Sequence, residues 1–245
     1  MRLDKYLTDC FLGTRKEAKT LIKKGLIKVN DKIIIKEDYN INESIDIVTY
    51  NGNILKYQRY YYYLLNKPKG YICANQDDTH HVVMELFNNL PKKLVEELLI
   101  VGRLDLDTEG MLIITNDGNF VHTLTSPNSH IEKVYYVEYD KELPDDAPTI
   151  LENPVILKNT TYLPSKLVII DKNQAYLTIK EGQFHQVKRM MHLVGGVVTY
   201  LKRIKIANIV LPEELKIGSY IEISQHDIYQ LIHFNCKKKG FWRIR

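Results

Sequence analysis

The chain has 245 residues, 44% of them hydrophobic and 26% charged, which fits folded domains rather than a disordered chain. Its net charge of +4 is modest. No uncharged apolar run approaches the roughly 18 residues of a membrane helix. Met1-Arg2-Leu3-Asp4-Lys5 offers no apolar signal core, and three dispersed cysteines (Cys10, Cys73, Cys236) without a CxxC pair suit a reducing cytoplasm.

In chain order, Leu3, Tyr6, Leu7 and Cys10 carry the spacing of one helix face. Gly13 breaks it. Thr14 with Glu17 reads as a capping box that opens a second helix, with Ala18, Leu21 and Ile22 facing inward and Gly25 closing it. Lys16, Lys19, Lys23 and Lys24 share the outward side. Leu26–Val29, an Asn30-Asp31 turn and Lys32–Ile35 form a hairpin. Residues 1–36 hold ten Lys/Arg against four acids, and the tail adds Lys237, Lys238, Lys239, Arg243 and Arg245. Two basic clusters on a balanced chain point to a polyanion partner as readily as to solvated faces.

Residues 1–50 thus read as a small binding module, 51–60 as a linker, and 61–245 as the main domain. Tyr60–Leu65 reads as a buried strand that Asn66-Lys67-Pro68-Lys69-Gly70 ends. Met111–Thr115, Lys133–Tyr139, Leu167–Ile170 and Ala175–Ile179 are further strands, and Gln183–Val194 has helical spacing. Strands dominate without a βαβ rhythm, so the fold class is α+β with a mixed or antiparallel sheet.

The densest polar loop is Gly102-Arg103-Leu104-Asp105-Leu106-Asp107-Thr108-Glu109-Gly110. A calcium loop starting at Asp105 needs a glutamate at its twelfth position, where Asn116 stands. His80, His81, His185 and His192 have neither cysteine partners nor HExxH spacing for zinc. No GxSxG, P-loop or GxGxxG is present. A carboxylate on a rigid strand end beside an arginine remains as a nucleophile or base, against a plain Asx-rich turn.

Taken in order, the motifs resemble the pseudouridine synthases of the RsuA type. The residues that carry the resemblance are Asn66–Tyr71, Gly102–Asp105 with Asp107–Gly110, Thr115–Gly118, Glu132–Tyr135, His185–Met190 and Leu201–Arg203. The first fifty residues resemble the ribosomal-protein S-four-like RNA-binding module found ahead of this catalytic domain. Met111 departs from a common leucine, and the tail from Lys237 runs past the matching part.

The resemblance implies isomerisation of a uridine in RNA, by cleavage of its glycosidic bond and rejoining through C5, with no cofactor and no metal. It implies Asp105 as the carboxylate at C1′, Tyr135 as the ring that stacks on the freed uracil, and Lys188 as the cation beside Asp105. Arg189 is a substrate contact and the alternative to Lys188 if the register shifts by one. Leu201 packs under the base, and Arg103 anchors the backbone or fills the gap in the stack. Lys16, Lys19 and Lys23 would meet phosphates. Asp107, two places on in an extended loop, would point away from Asp105. Thr125-Ser126-Pro127, His130 and Glu132-Lys133 look most like enzymes acting on small-subunit rRNA, with large-subunit relatives next. A silent RNA-binding or ribosome-assembly protein and a metal-dependent nuclease on Asp105, Asp107 and Glu109 are the other readings. A monomer is expected, since no coiled-coil pattern appears.

Overall fold

A computed structural model describes residues 1–157 and 159–233. The basic tail from Lys237 and Cys236 therefore lie outside the described residues. The chain divides into two units, the first made of Met1–Tyr60 with Asn89–Glu97 and the second of the remainder.

In the first unit, α1 (Leu3–Asp9) and α2 (Arg15–Lys23) pack on a sheet of β1 (Ile27–Val29), β2 (Lys32–Ile33), β3 (Val48–Tyr50) and β4 (Asn53–Ile54). The strands run in the order β2-β1-β3-β4, all antiparallel. Thr14 and Glu17 form the reciprocal cap of α2, with Glu17 N donating to Thr14 Oγ1 at 3.3 Å and Thr14 N to Glu17 Oε2 at 2.7 Å. Asn30 and Asp31, both at positive φ, make the primed turn that matches strand twist. Leu3, Tyr6, Leu7, Ala18, Ile22, Ile27 and Val48 close the core.

Asp4 is fully buried and neutralised twice, by Arg2 (3.0 Å) and Arg15 (3.1 Å). Burial alone would raise its carboxyl, but these two guanidinium bonds hold it below the ordinary aspartate value.

Residues 51–60, expected as a linker, are part of this unit. β4 extends the sheet, Leu55 O accepts the Tyr6 hydroxyl at 2.9 Å, and the Tyr57 ring lies 5.6 Å from that of Tyr6. The apolar side chains of that segment cover a core too small to close without them. α3 (Lys92–Glu97) belongs here too, with Lys93 donating to Thr8 O and Asp9 at 3.1 Å.

The second unit is built on a nine-stranded sheet. Its strands are β5 (Tyr62–Lys67), β8 (Leu99–Val101), β9 (Glu109–Thr115), β10 (Lys133–Tyr139), β13 (Lys166–Asp171), β14 (Gln174–Ile179), β15 (Val198–Ile206), β16 (Ile209–Val210) and β17 (Tyr220–Ile223). The short pairs β6 (Tyr71–Ile72) with β7 (His81–Val82), and β11 (Val155–Leu157) with β12 (Thr160–Tyr162), stand apart. Helices α4 (Gly118–Thr125), α5 (Ala147–Leu151), α6 (Gln186–Leu193) and α7 (Gln225–His233) complete it.

The main path runs β13-β14-β10-β15-β9-β5-β17, with β16 on β15 and β8 on β9. Among the described residues, β15 and β9 pair in parallel and the other pairs of this sheet are antiparallel. β5 is buried along its whole length and β9 after its first residue, so both read as continuous apolar runs. β10 and β14 alternate, with Tyr135, Val137, Leu177 and Ile179 turned to a core shared with Val187, Met190 and Met191 of α6.

Two differences from the sequence reading matter for the site. β5 continues through Asn66 and Lys67, because Lys67 finds carbonyl partners inside the fold. The centre of the sheet is β15, a strand whose three interspersed cations mask its pattern in sequence.

Candidate active site

The loop between β8 and β9 places Asp105 at the rim of a narrow cleft. Arg103, Leu104, Thr108, Tyr135, Gln183, Lys188 and Leu201 line it. The Asp105 carboxylate is about a third exposed, with Lys188 Nζ 3.4 Å from Oδ2 and His185 Nε2 3.7 Å from Oδ1.

The loop is not extended. Thr108 N donates to Asp105 O at 3.1 Å, a turn that brings Asp107 round to the same side as Asp105. Lys188 Nζ therefore donates to both Asp107 oxygens, at 2.6 and 2.8 Å, contrary to the alternation expected of a strand-like loop. Burial would raise the Asp107 carboxyl, yet the Lys188 hydrogen bond and charge bring it below its ordinary value.

Lys67 holds this loop from beneath. Its fully buried ammonium donates to Asp105 O (3.1 Å), Thr108 O (2.9 Å) and Pro68 O (3.0 Å). Burial pulls the Lys67 amine below its ordinary value, partly offset by the charges of nearby acids and Cys73. Gly70 N donates to Leu106 O at 2.9 Å and Leu104 N to Cys73 Sγ at 3.3 Å, so the Asn66–Gly70 turn and the Asp105 loop are tied together.

Lys188 stands in the first turn of α6. His185 precedes the helix at φ 52°, its ring stacked 3.8 Å from that of Phe184. Gln186 is buried and accepts from Gln183 N (3.1 Å) while donating to Glu181 (2.9 Å), which fixes the entry to the helix. Adjacent helical residues point about 100° apart. Arg189 therefore faces elsewhere, donating to Tyr162 at 3.0 Å, and does not border the cleft.

Tyr135 and Leu201, 7% and 4% exposed, share one apolar cluster with Leu104 and Val187 on the wall of the cleft. Arg103 lies on the exposed rim. Four side chains drew no role from sequence: Lys67, Thr108, His185 and Arg203. Arg203 is 2% exposed, and a cation at an inward place in β15 was the available signal. Asp117 of the Asn116-Asp117-Gly118 turn is structural. It caps α4 through Asn119 N and Phe120 N and accepts the Tyr62 and Tyr229 hydroxyls at 2.7 and 2.9 Å.

In the first unit, Lys16, Lys19 and Lys23 lie on the outer face of α2 and are exposed or half-exposed. Lys19 and Lys23 both reach Glu37, at 3.5 and 2.6 Å, which offsets part of their charge.

A carboxylate beside two basic side chains, in a cleft walled by a tyrosine and a leucine, is equipped to hold a flat ring beside a centre of developing positive charge. Comparison with known proteins agrees with that chemistry. Residues 61–193 match the RNA pseudouridylate synthase family and residues 1–44 the S4 domain. Ribosomal small subunit pseudouridine synthase A of Vibrio vulnificus (strain CMCP6) is 36% identical over 93% of this chain and 98% of its own. The protein of the same name from Escherichia coli (strain K12) is 35% identical over 95% and 100%. An uncharacterised RNA pseudouridine synthase of Bacillus subtilis (strain 168) is 34% identical over 94% and 98%. A crystal structure of a pseudouridylate synthase superposes with a TM-score of 0.66 at 33% identity, covering 94% of this chain and 99% of the other. The chain therefore belongs to the RNA pseudouridylate synthase family, with an S4 domain ahead of the synthase domain.

Proposed function

We propose that this enzyme converts one uridine of small-subunit ribosomal RNA to pseudouridine, with Asp105 as the catalytic carboxylate. The observation that carries the reading is the placement of Asp105 between Lys188 and His185, at the mouth of a cleft walled by Tyr135 and Leu201. The choice of RNA is supported by the full-length similarity to the Vibrio vulnificus and Escherichia coli small-subunit enzymes.

The target uridine leaves its stack, at a cost of a few kcal/mol, and enters the cleft. Asp105 faces C1′ and meets the positive charge that develops there as the bond to N1 breaks. The freed uracil, held between Tyr135 and Leu201, turns until C5 faces C1′. C5 then bonds to C1′, gives up its proton through the Tyr135 hydroxyl, and N1 gains one, so no co-reactant is consumed. Lys188 compensates the Asp105 charge within the cleft, and Arg103 holds the displaced strand at the rim. Lys16, Lys19 and Lys23 contribute phosphate contacts, Arg189 contacts RNA from the far side of α6, and binding is correspondingly salt-dependent. Cys10 and Cys73 are free thiols, in keeping with work in the cytoplasm.

The test is pseudouridine mapping of ribosomal RNA from cells with and without the gene, by carbodiimide treatment and primer extension. Loss of one small-subunit site is the expected result. Loss of a large-subunit site would move the target within the family, and no loss would favour a silent RNA-binding protein.

A further inference from the structure

Beside the Asp105 cleft lies a second cavity of about 250 Å³, which shares Arg103, Tyr135, Gly182 and Gln183 with it. Among the described residues its wall carries the cations Arg103, Lys133, Lys180 and Arg203 against the carboxylate of Glu181. That carboxylate is already engaged: Glu181 Oε1 accepts from Leu163 N at 2.8 Å and from Gln186 Nε2 at 2.9 Å. Lys180 lies 3.8 Å from Glu132 and keeps an exposed ammonium.

Arg203 is the unusual member. It is 2% exposed and its Nε donates to Met111 O at 2.8 Å, while its buried Nη2 has no partner among the described residues. A buried guanidinium with an unused N–H is rare in folded proteins, where such groups are almost always paired. Lys133, across the same cavity, spends one hydrogen on Ile131 O at 3.0 Å. Burial, and then the charge of Arg203, pushes its amine down to about 8. Two cations thus crowd a space that, among the described residues, holds no free acid, and Ser126 and Ser129 add hydroxyls to its wall.

We propose that this cavity is a phosphate subsite that takes the RNA phosphodiester adjoining the uridine held at Asp105, with Arg203 and Lys133 as its donors. A base of the neighbouring nucleotide would also fit the volume, but an excess of cations at the wall selects the anionic backbone. The inference rests on Asp105 being the centre of uridine isomerisation. Because the two cavities share Arg103 and Tyr135, an anion bound here fixes the sugar whose C1′ must reach Asp105.

The test uses the full-length protein, a small-subunit rRNA transcript and inorganic phosphate. Lys133→Gln and Arg203→Lys should each raise KM about tenfold, the weight of one charged hydrogen bond, with a smaller fall in kcat. Lys133→Gln should also lower the salt slope of RNA binding by about one. Lys133 is only half buried, so its variant folds even if Arg203→Lys does not. In the wild type, inorganic phosphate should move the titration of the Lys133 resonance, followed in protein labelled at lysine Cε, to higher pH. Unchanged KM and salt slope in Lys133→Gln, or a loss confined to kcat, would overturn the subsite, as would a Lys133 resonance indifferent to phosphate. A wild type that makes no pseudouridine in any transcript would instead overturn the isomerase reading, while salt slope and phosphate titration still decide the cavity.

Discussion

Lys188 serves two carboxylates at once, touching Asp107 at 2.6 Å and Asp105 at 3.4 Å. Asp105→Asn keeps the shape of the side chain and removes its charge. Turnover on rRNA should fall at least about a thousandfold, the scale of losing the group that meets transition-state charge. RNA affinity, measured by filter binding, should stay within about twofold, since the phosphate contacts that dominate affinity are untouched. Appreciable turnover in this variant would refute Asp105 as the catalytic carboxylate. Lys67 never touches the cleft surface, yet it holds Asp105 O and Thr108 O in place. Lys67→Met removes their shared donor, leaving Asp105 O only its turn bond from Thr108 N, and lets the loop relax. Single-turnover rates should drop at least about tenfold, because displacement of about 1 Å at a reacting group costs up to a hundredfold. In the sequence, Lys67 reads as the start of a turn after an apolar run. That it is an inward lysine depends on carbonyls 38 and 41 positions away, which no local pattern records.

At the level of elements, the parallel contact of β9 with β15 sets the geometry around Asp105, since Gly110 sits opposite Arg203 there. Gly110 has φ +100°, and a Cβ at that position would lie 2.3 Å from Arg203 O. Gly110→Ala should therefore destabilise the second unit by at least about 3 kcal/mol, from backbone strain and overpacking together. The urea midpoint is the measure, and an unchanged midpoint would contradict the close approach. The apolar runs of β5 and β9, the alternation of β10 and β14, and the Thr14–Glu17 cap were all legible in sequence, because each is encoded within one element. β15 was not. Its Lys202, Arg203 and Lys205 interrupt the apolar alternation that marks a strand, and its place at the centre of the sheet is set by distant partners.

For the molecule as a whole, the basic character of the first unit is concentrated on α2 but already partly offset by Glu37. The triple variant Lys16→Gln, Lys19→Gln, Lys23→Gln should weaken rRNA binding and lower its salt slope by about two to three, roughly one for each phosphate that no longer meets a lysine. A salt titration with an unchanged slope would remove α2 from the RNA interface. The order of motifs along the chain determined the family and with it the reaction, because the residues that meet the base are few and their types are dictated by chemistry. Helices, caps and buried strands followed from patterns of period 3.6 and 2, which are local. Tertiary structure alone decided that Asp107 joins Asp105 on Lys188, that Lys67 underpins the loop, and that Arg203 faces a cavity of its own. Each of these pairs residues far apart in the chain, and burial turns their charges from solvated surface groups into fixed partners.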